Sequence, residues 1–411
     1  MQVFDVLIIG GGPAGSTIAS LLADAGWSVA VVEKKIFPRR KVCGEFISAT
    51  SLPLLEQLGI ADLYLTQGGP EVRRVGLFAA DAILSSAMPP ANDSLNHWGR
   101  ALGRDQFDTE LLERARRAGA KLWQPWTVQT LERNADLLIT TIISKNKVEQ
   151  ISAHTVIMAN GSWEKEFESQ SILRHRPSDL LAFKAYFRNS DLAQDLMPLI
   201  TFPGGYGGLV HTGNGRISLS CCIRRDTLRE VRQQYPGLLA GEAVLKHIKT
   251  TCLGVSQAFL RTEREGSWLS SGPIRPGIRK RYANGIFYVG NIAGEAHPIV
   301  AEGISMAIQS AWVLAQVLLA RQYEILSDKN TANAGEDYTK KWDLHFANRI
   351  HFAAVFAQLA MRPWAVNTLL PIVKLFPSIL TLGAKLSGKI KQVIPITIST
   401  KLTSNEKENT I

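Results

Sequence analysis

A glycine-rich turn close to the first residue, Gly10-x-Gly12-x-x-Gly15, limits the folds that this sequence can adopt more than any other motif. A wholly apolar run over residues 6–9 precedes the turn, and such a run predicts a short strand buried on both faces. A helical pattern follows, and the next apolar strand ends directly at Glu33. This order of strand, glycine turn, helix and strand is typical of a dinucleotide-binding βαβ unit.

Each part of this unit has a physical role in holding a dinucleotide. Gly10 permits the tight turn, Gly12 lets the backbone approach a pyrophosphate, and Gly15 lets the helix and the strand pack closely. The unpaired N–H groups at the helix N-terminus then face the phosphates. Because the Glu33 carboxylate can accept hydrogen bonds from ribose hydroxyls, the sequence predicts a dinucleotide site here.

A second glycine-bearing turn lies far away in the sequence, over residues 290–303, between a predicted strand and a predicted helix. With both turns, the chain resembles the large FAD-dependent family that includes para-hydroxybenzoate hydroxylase-type aromatic monooxygenases, geranylgeranyl reductases and flavin-dependent halogenases. The family's second signature is matched by Gly290, Ala293, Pro298 and Gly303. Asn291 replaces the usual Asp of this signature, and this replacement keeps a hydrogen-bond acceptor but loses the negative charge. Ala301 replaces the first Gly of the final pair.

Shorter blocks agree with this resemblance. The segment Lys41-Val-Cys-Gly-Glu45 resembles a loop that lies along the flavin in geranylgeranyl reductases and halogenases, although a free Cys such as Cys43 is usually a small buried apolar residue. Further matches are an Arg-x-x-Phe-Asp helix start at Arg104, an Ala-Asp-Gly turn in which Asn160 replaces Asp, and a strand pair in which Gly208 replaces Trp.

The fold class expected from these patterns is α/β, or α+β overall, with a Rossmann-like FAD-binding domain, an inserted, mainly β substrate domain and a C-terminal helical tail. We predict a discontinuous FAD-binding domain over residues 1–70, 100–172 and 280–330. The β-rich substrate domain takes residues 71–99 and 173–279, and the helical region takes residues 331–411. The glycines of residues 204–208 are interpreted as a β-turn because no helix follows them.

Site residues follow from the resemblance and from strand alternation. In Phe183-Lys-Ala-Tyr-Phe187, alternation places Lys184 and Tyr186 on one face, so Lys184 is either solvated or directed towards the flavin and substrate. The predicted catalytic candidates are Cys43, Glu45, Lys184, Tyr206 and His297. The predicted FAD contacts are Gly10, Gly12, Pro13, Ala14, Gly15, Glu33, Lys34, Lys41, Cys43, Gly44, Arg104, Val128, Asn160, Gly161, Gly290, Asn291, Ala293, Pro298, Glu302, Gly303 and Ile304.

The net charge of +10 is unevenly placed, since no acidic residue lies between Asp343 and Glu406. The cations of that stretch form either a solvated helical face or a surface for acidic lipid or an acyl substrate. They are Arg349, Arg362, Lys374, Lys385, Lys389, Lys391 and Lys401. Nucleic acid is not an expected partner, because no compact basic motif is interleaved with aromatic residues. The apolar residues of the tail indicate substrate contact, membrane contact or simple packing on the inserted sheet.

Four irregularly spaced cysteines predict neither a disulfide framework nor a metal site, and a cytoplasmic location is the default. The first residues lack the pattern of a signal peptide. We expect no transmembrane helix, because the nearest candidate, residues 364–382, is broken by Pro371, Lys374 and Pro377. Peripheral association with a membrane, or contact with a carrier or partner protein, stays open for this tail.

The expected function is an FAD-dependent oxidoreductase that acts on a lipophilic aromatic, polyketide-like or isoprenoid substrate. We favour hydroxylation with oxygen, with NAD(P)H as a transient reductant because a second dinucleotide fingerprint is absent from the sequence. The alternatives are alkene reduction, as in geranylgeranyl reductases, and a halogenase-like or maturation-partner flavoprotein. The halogenase interpretation is weaker, because the Trp-x-Trp-x-Ile-Pro block of halogenases is absent.

Overall fold

The computed structural model describes residues 2–91, 97–162 and 175–389 of the chain. The strands of these residues belong to two large sheets and one short ribbon. In chain order they are β1 Val3–Ile9, β2 Val29–Val32, β3 Phe46–Ile47, β4 Arg74–Ala79, β5 Ala82–Ala87, β6 Arg100–Ala101, β7 Lys121–Trp123, β8 Thr127–Asn134, β9 Leu137–Ser144, β10 Lys147–Met158, β11 Leu180–Arg188, β12 Leu196–Phe202, β13 Gly205–Thr212, β14 Arg216–Arg224, β15 Glu263–Ile274, β16 Gly277–Ile278, β17 Tyr282–Ala283, β18 Ile286–Tyr288 and β19 Gly294–Glu295.

The helices cover the faces of these sheets. In chain order they are α1 Pro13–Asp24, α2 Leu52–Gln57, α3 Ala61–Gln67, α4 Arg104–Arg117, α5 Arg225–Gln234, α6 Ala240–Thr251, α7 Leu253–Ala258, α8 Gly303–Ala320, α9 Gln322–Leu326, α10 Ala332–Ala360, α11 Pro363–Leu375 and α12 Ser378–Ala384. Short 3₁₀ turns lie at Ala49–Ser51, Gly290–Ile292 and Pro298–Val300, and a π-helical turn at Lys385–Lys389 continues α12.

The first sheet has the order β17-β18-β10-β1-β2-β7, and β8 and β9 extend it beside β10. Its central strand β1 pairs in parallel with β10 and with β2, which explains why its sequence is apolar on both faces. Helix α1 leaves the end of β1 and packs against α4 and α8. This arrangement brings the carboxyl ends of β1, β10 and β18 to one edge, where ligands bind in open α/β sheets.

The second sheet has the order β15-β11-β14-β13-β12-β4-β5, with β6 attached to β13 and β3 attached to β6. One face carries Phe183, Ala185 and Phe187 and is covered by helices α5–α7. The opposite face carries Ala182 and Tyr206 and is directed towards helix α10. Both faces of this sheet are therefore buried, and strand alternation directs neighbouring side chains to opposite faces. The face that carries Ala182 and Tyr206 is the one directed towards the cleft.

Two long helices connect the parts of the molecule. Helix α8 is apolar on all sides and is long enough to cross a membrane by its composition, but it is mostly buried in the core of the first domain. Helix α10 packs Trp342 and Phe346 into that same core and places Ala353 and Ala357 against the second sheet. The tail is thus anchored on both domains before it reaches α11 and α12.

Two details differ from the sequence-based expectations. The interpretation of residues 204–208 as a β-turn is wrong beyond Gly204, because Gly205 pairs with Phe202 and already belongs to strand β13. The hairpin turn is the shorter Pro203-Gly204, with Gly204 at a positive φ of 75°. Strands β3 and β6, from segments that the sequence assigns to the FAD-binding domain, pair with each other, and β6 pairs with β13 of the second sheet.

Candidate cofactor and substrate cleft

A single cleft of about 970 Å³ lies between the two sheets and the C-terminal helices. This volume is at the upper end of the range for ligand pockets. We call the part lined by Gly10, Gly12, Glu33 and Arg104 the cofactor end. The part lined by the inner face of the second sheet and by the tail is called the apolar end, and includes Ala182, Tyr206, Gly208, Cys222, Phe352, Phe356, Leu380 and Leu382.

The glycine turn at the cofactor end leaves room for a ligand against its backbone. A Cβ atom at Gly12 would meet no protein atom within 4 Å, whereas one at Gly15 would lie 1.8 Å from the carbonyl oxygen of Gly10. Gly10 has φ +111° and packs so closely on Ala159 that a Cβ would lie 2.6 Å from its carbonyl oxygen. The cradle at Gly12 therefore fits a pyrophosphate, and the other two glycines hold its shape.

Glu33 is buried at the end of β2 and lines the cofactor end. Its Oε2 accepts a hydrogen bond from the Gly11 N–H at 2.8 Å, and its Oε1 accepts one from the Lys35 N–H at 2.7 Å. Two backbone donors thus fix the carboxylate at the mouth of the glycine turn. This is the position in which an acid can receive the ribose hydroxyls of a dinucleotide.

A collar of cations surrounds this end of the cleft. It consists of Lys34, Lys35, Arg39, Arg40, Lys41 and Arg104, all of which line the cleft. The sequence-based list included Lys34, Lys41 and Arg104 but omitted Lys35, Arg39 and Arg40, although the run of cations without an acid over residues 34–41 was visible. Because a pyrophosphate is anionic, these charges fit the cofactor that the glycine turn predicts.

Three members of the collar have perturbed pKa values. Burial lowers the pKa of Lys34, against the charge of Glu33. Burial, together with the charges of Arg104 and Arg39, lowers the pKa of Lys41 to about 8. Burial opposes the charge of Arg104, but two hydrogen bonds to the Asp108 carboxylate, at 2.6 and 2.7 Å, raise its pKa on balance. Arg104 is therefore a fixed charge, whereas Lys41 loses its proton within reach of neutral pH.

The Asn that replaces the family's Asp donates rather than accepts in this structure. Asn291 Nδ2 donates to Ser162 Oγ at 3.1 Å and to Glu295 Oε1 at 3.2 Å, and all three residues line the cleft. Burial raises the pKa of Glu295, against the influence of Arg279. The acidic residue near this turn is therefore Glu295, four residues beyond position 291, where the family has Asp. Glu295 was not among the predicted site residues, because the family pattern gives its position no role.

Helix α8 presents its N-terminus to the cleft through Gly303 and Ile304. Ala301, which replaces a glycine of the family signature, adopts φ 53° and ψ 39°. This left-handed conformation costs a non-glycine residue about 1 kcal/mol, which explains why glycine is usual there. Glu302 is fully buried, pairs with Lys389 at 3.0 Å and does not line the cleft, so its contact with FAD stays a prediction.

The segment between the two ends holds a buried ionic cluster. Glu45 lines the cleft and forms an ion pair with Lys184, and both side chains are 1% exposed. The same Glu45 Oε1 accepts hydrogen bonds from Tyr186 Oη at 2.5 Å and from the Arg104 N–H at 3.1 Å. Glu45 has φ 66°, an unusual conformation for a residue with a Cβ, and the cluster holds it there.

This cluster corrects the solvated interpretation of Lys184. Strand alternation correctly separates Lys184 and Tyr186 from the Phe183 face, but both faces of the strand are buried. Burial lowers the pKa of Lys184 in spite of the attraction of Glu45. Lys184 does not line the cleft itself but contacts Glu45, which does. Cys43 lines the cleft beside Glu45, and its Sγ accepts a hydrogen bond from the Glu45 backbone N–H at 3.4 Å.

Polar groups that are neutral near pH 7 lie at the apolar end or directly behind its wall. Tyr206 Oη and His297 Nδ1 lie 3.1 Å apart, and Tyr206 also hydrogen-bonds the Cys222 thiol. Burial raises the pKa of Tyr206 well above its usual range and that of Cys222 to about 12, and it lowers the pKa of His297 to about 4. All three groups are therefore neutral near pH 7, as expected for a site that binds apolar ligands.

The structure brings most of the predicted site residues to one surface. Of the predicted positions, those that support the cleft from behind instead of lining it are Gly15, Lys184, Ala293, His297 and Glu302. Gly208 lines the apolar end, and a Cβ there would meet only the Pro198 carbonyl oxygen, at 3.5 Å. The replacement of Trp by glycine thus enlarges the apolar end. Within the described residues, no group of His, Cys, Asp or Glu is arranged to hold a metal ion.

Comparison with known proteins identifies the cofactor fold. The family model described as "FAD binding domain" matches residues 3–325. The chain is 26% identical over 336 residues to conditioned medium factor receptor 1 of Dictyostelium discoideum, covering 77% of this chain but only 64% of that protein. It is 25% identical over 366 residues to digeranylgeranylglycerophospholipid reductase 1 of Methanopyrus kandleri, covering 87% of this chain and 90% of the reductase.

Solved structures show the same fold over almost the whole chain. The myxobacterial chondrochloren halogenase superposes with a TM-score of 0.75 and 19% identity, covering 94% of this chain and 91% of the halogenase. PqsL of Pseudomonas aeruginosa, in complex with 2-aminobenzoylacetate, gives a TM-score of 0.70 and 16% identity, covering 90% of this chain and all of PqsL. The predicted resemblance to reductases, halogenases and monooxygenases, and the predicted fold class, are confirmed.

Proposed function

The chain belongs to the FAD binding domain family, and from this premise we propose that it is a monooxygenase that hydroxylates an elongated, lipophilic substrate with an aromatic or polyketide-like head. The observation that carries the proposal is the continuity of the cleft, which runs from the dinucleotide cradle at Gly12 to the apolar wall formed by Phe352 and Phe356. A ligand at the apolar end therefore shares one volume with the cofactor.

The residues of the cofactor end would hold FAD by three kinds of contact. The glycine turn would receive the pyrophosphate, Glu33 the ribose, and the cationic collar the remaining negative charge. When bound, FAD supplies the electrons for oxygen activation. NAD(P)H is the proposed source of those electrons, and it would visit the cleft without a domain of its own.

The residues of the apolar end would orient the substrate and exclude water. Phe352 and Phe356 stack on each other with ring centroids 6.0 Å apart, and they face Ala182 and Tyr206 of the sheet. Such a wall favours a flat or extended apolar body. The ion pair with Lys184 holds Glu45 and the neighbouring Cys43 in fixed positions between the substrate and the cofactor.

The polar groups of the apolar end bear on the choice between hydroxylation and alkene reduction. A reductase must give a proton to the carbon beside the one that receives hydride. Tyr206 and Cys222, which line the apolar end, hold their protons tightly because burial raises their pKa values. Hydroxylation requires no proton from Tyr206 or Cys222, because the H⁺ can come from solvent: substrate, O₂, NAD(P)H and H⁺ give the hydroxylated product, water and NAD(P)⁺.

Alkene reduction is a second candidate, supported by the position of Cys43 on the cleft surface and by the similarity to a digeranylgeranylglycerophospholipid reductase along nearly its full length. In this reaction Cys43 would be the proton donor, because it lies on the cleft wall next to the cofactor end.

Isotope labelling separates the two candidates. The FAD-loaded protein is incubated with NADPH, ¹⁸O₂ and a series of 4-alkylphenols from methyl to dodecyl. Monooxygenation predicts a product that gains one ¹⁸O atom, with the highest turnover for long chains. Under argon, a geranylgeranyl lipid is offered to the dithionite-reduced protein. Saturation of its double bonds, together with no ¹⁸O incorporation in the first assay, would favour the reductase.

A further inference from the structure

The last two helices of the described chain expose an unusual amount of apolar surface. Eight large apolar side chains on these helices, at their junction and in the following π-helical turn are between 39% and 72% exposed: Trp364, Leu369, Ile372, Leu375, Phe376, Ile379, Leu382 and Leu386. Single exposed apolar residues are normal on soluble proteins, but a contiguous group on one short segment marks an interaction surface. We call these eight residues the tail patch.

The tail patch has the shape of an in-plane anchor and not that of a membrane span. Helices α11 and α12, with the π-helical turn that continues α12, are together long and apolar enough to cross a membrane, but they are bent by 110° at their junction. The bend lies at Phe376-Pro377, and Pro371 lies inside α11. Two short helices at this angle can lay one apolar side along an interface while their other sides pack on the protein.

The inner sides of the same helices form part of the cleft. Val373, Leu380 and Gly383 line it, and so do the exposed Ile379, Leu382 and Leu386. Leu370 packs on the tip of the β4–β5 hairpin. The tail patch is therefore continuous with the lining of the apolar end, so a lipophilic molecule that enters here passes from one apolar surface to another.

The charges around the tail patch indicate the kind of surface that it binds. Exposed cations flank the tail patch at Arg362, Lys374 and Lys385, and the segment over residues 344–389 contains no acidic residue. Lys374 has one acidic neighbour, Asp81, at 3.6 Å on the exposed hairpin tip. Apolar side chains edged by cations are complementary to an anionic bilayer, in which acyl chains lie beneath negative headgroups.

From these observations we propose that the tail patch docks on an anionic lipid bilayer and opens the apolar end of the cleft towards the acyl region. The helices lie in the interface, with Leu375 and Phe376 inserted and the three cations at headgroup level. This docking goes beyond the proposed reaction, and because vesicle binding needs no turnover, its test is independent of whether the protein is a monooxygenase or a reductase.

Vesicle flotation with the full-length, FAD-loaded protein tests the proposal. The probe is vesicles of phosphatidylglycerol and phosphatidylcholine, compared with vesicles of phosphatidylcholine alone. We expect binding to the anionic vesicles that weakens with added salt, and a loss on the order of tenfold in the double variant Leu375→Glu/Leu382→Glu. The matched control, Leu239→Glu/Leu260→Glu, changes two leucines that are each 73% exposed on the substrate domain, and it should bind like wild type.

Other outcomes would overturn the proposal. Absence of binding to anionic vesicles would do so, and so would a double variant that binds as well as wild type. A variant that ends at Lys389 should still bind, and loss of binding on that truncation would assign the interaction to residues 390–411. A wild-type dimer that the double variant splits, without any vesicle binding, would assign the tail patch to a second copy of the chain.

Discussion

The two ends of the cleft share one volume but are built differently. The cofactor end is shaped by backbone, since Gly12 is open to a ligand and Gly15 has its Cβ position blocked at 1.8 Å by the Gly10 carbonyl oxygen. The apolar end is shaped by side chains from the second sheet and from the tail, such as Tyr206 and Phe356. A backbone site tolerates almost no substitution, whereas a side-chain wall can be reshaped one residue at a time.

The largest expected effect is at the cofactor end. Gly12→Val should lower FAD affinity by ~100-fold or more, because the side chain would fill the cradle where no protein atom lies within 4 Å of the Cβ position. Cofactor content after gel filtration measures the effect. Unfolding of the apo-protein should be little changed, since the Cβ position at Gly12 has no protein atom within 4 Å.

The control for this variant comes from the other end of the same cleft. Gly208→Val should retain FAD, because Gly208 lines the apolar end and its Cβ position is open. Equal loss of FAD in both variants would show that the two ends are not separable.

The next effect concerns the ion pair that lies between the ends. Lys184→Met removes the partner of a carboxylate that is 1% exposed, so the free energy of unfolding should fall by about 3 kcal/mol. Urea denaturation measures it. Arg74→Met is the matched control, because its pair with Asp195 is about 40% exposed and should contribute less than ~1 kcal/mol. Similar losses in the two variants would contradict the buried role of Lys184.

A substitution at the apolar end should change the selectivity for substrate chain length without changing the FAD content. Gly208→Trp projects an indole into the enlarged part of the cleft, so KM for long-chain substrates should rise on the order of tenfold. Short-chain substrates and FAD content should be unaffected. A uniform loss of kcat over all chain lengths would indicate instead that the sheet itself was disturbed.

The smallest expected effect is the pH dependence of FAD affinity. The pKa of Lys41 is about 8 in the protein without cofactor, and a bound pyrophosphate raises it by attracting the charged form. Below pH 8 the lysine is already protonated, and the affinity is flat. Above pH 8 binding must take up a proton, so Kd should rise by up to about tenfold per pH unit. Lys41→Gln should remove this slope in a fluorescence titration, and a slope that persists would exclude Lys41 as its cause.

The fold class and the glycine turn of the cofactor end follow from local sequence patterns. The glycines at 10, 12 and 15, the apolar strand before them and Glu33 after them are contiguous, so their spacing alone specifies backbone geometry. The second signature at 290–303 is equally local. Asn291 and Ala301 differ from the residues that the family signature has at these positions. In the structure, Asn291 donates a hydrogen bond to Glu295, and Ala301 adopts a left-handed backbone conformation.

The lining of the apolar end and the buried ion pairs depend instead on contacts between distant segments of the chain. Strand alternation placed Lys184 on the correct face, but its burial depends on Glu45, which lies about 140 residues earlier in the chain. Likewise Glu302 meets Lys389 only because the tail folds back on α8. The apolar end combines strands and helices that are distant in sequence. Local patterns fix dihedral angles and buried faces, whereas the identity of the neighbour across a face is set by packing between distant segments.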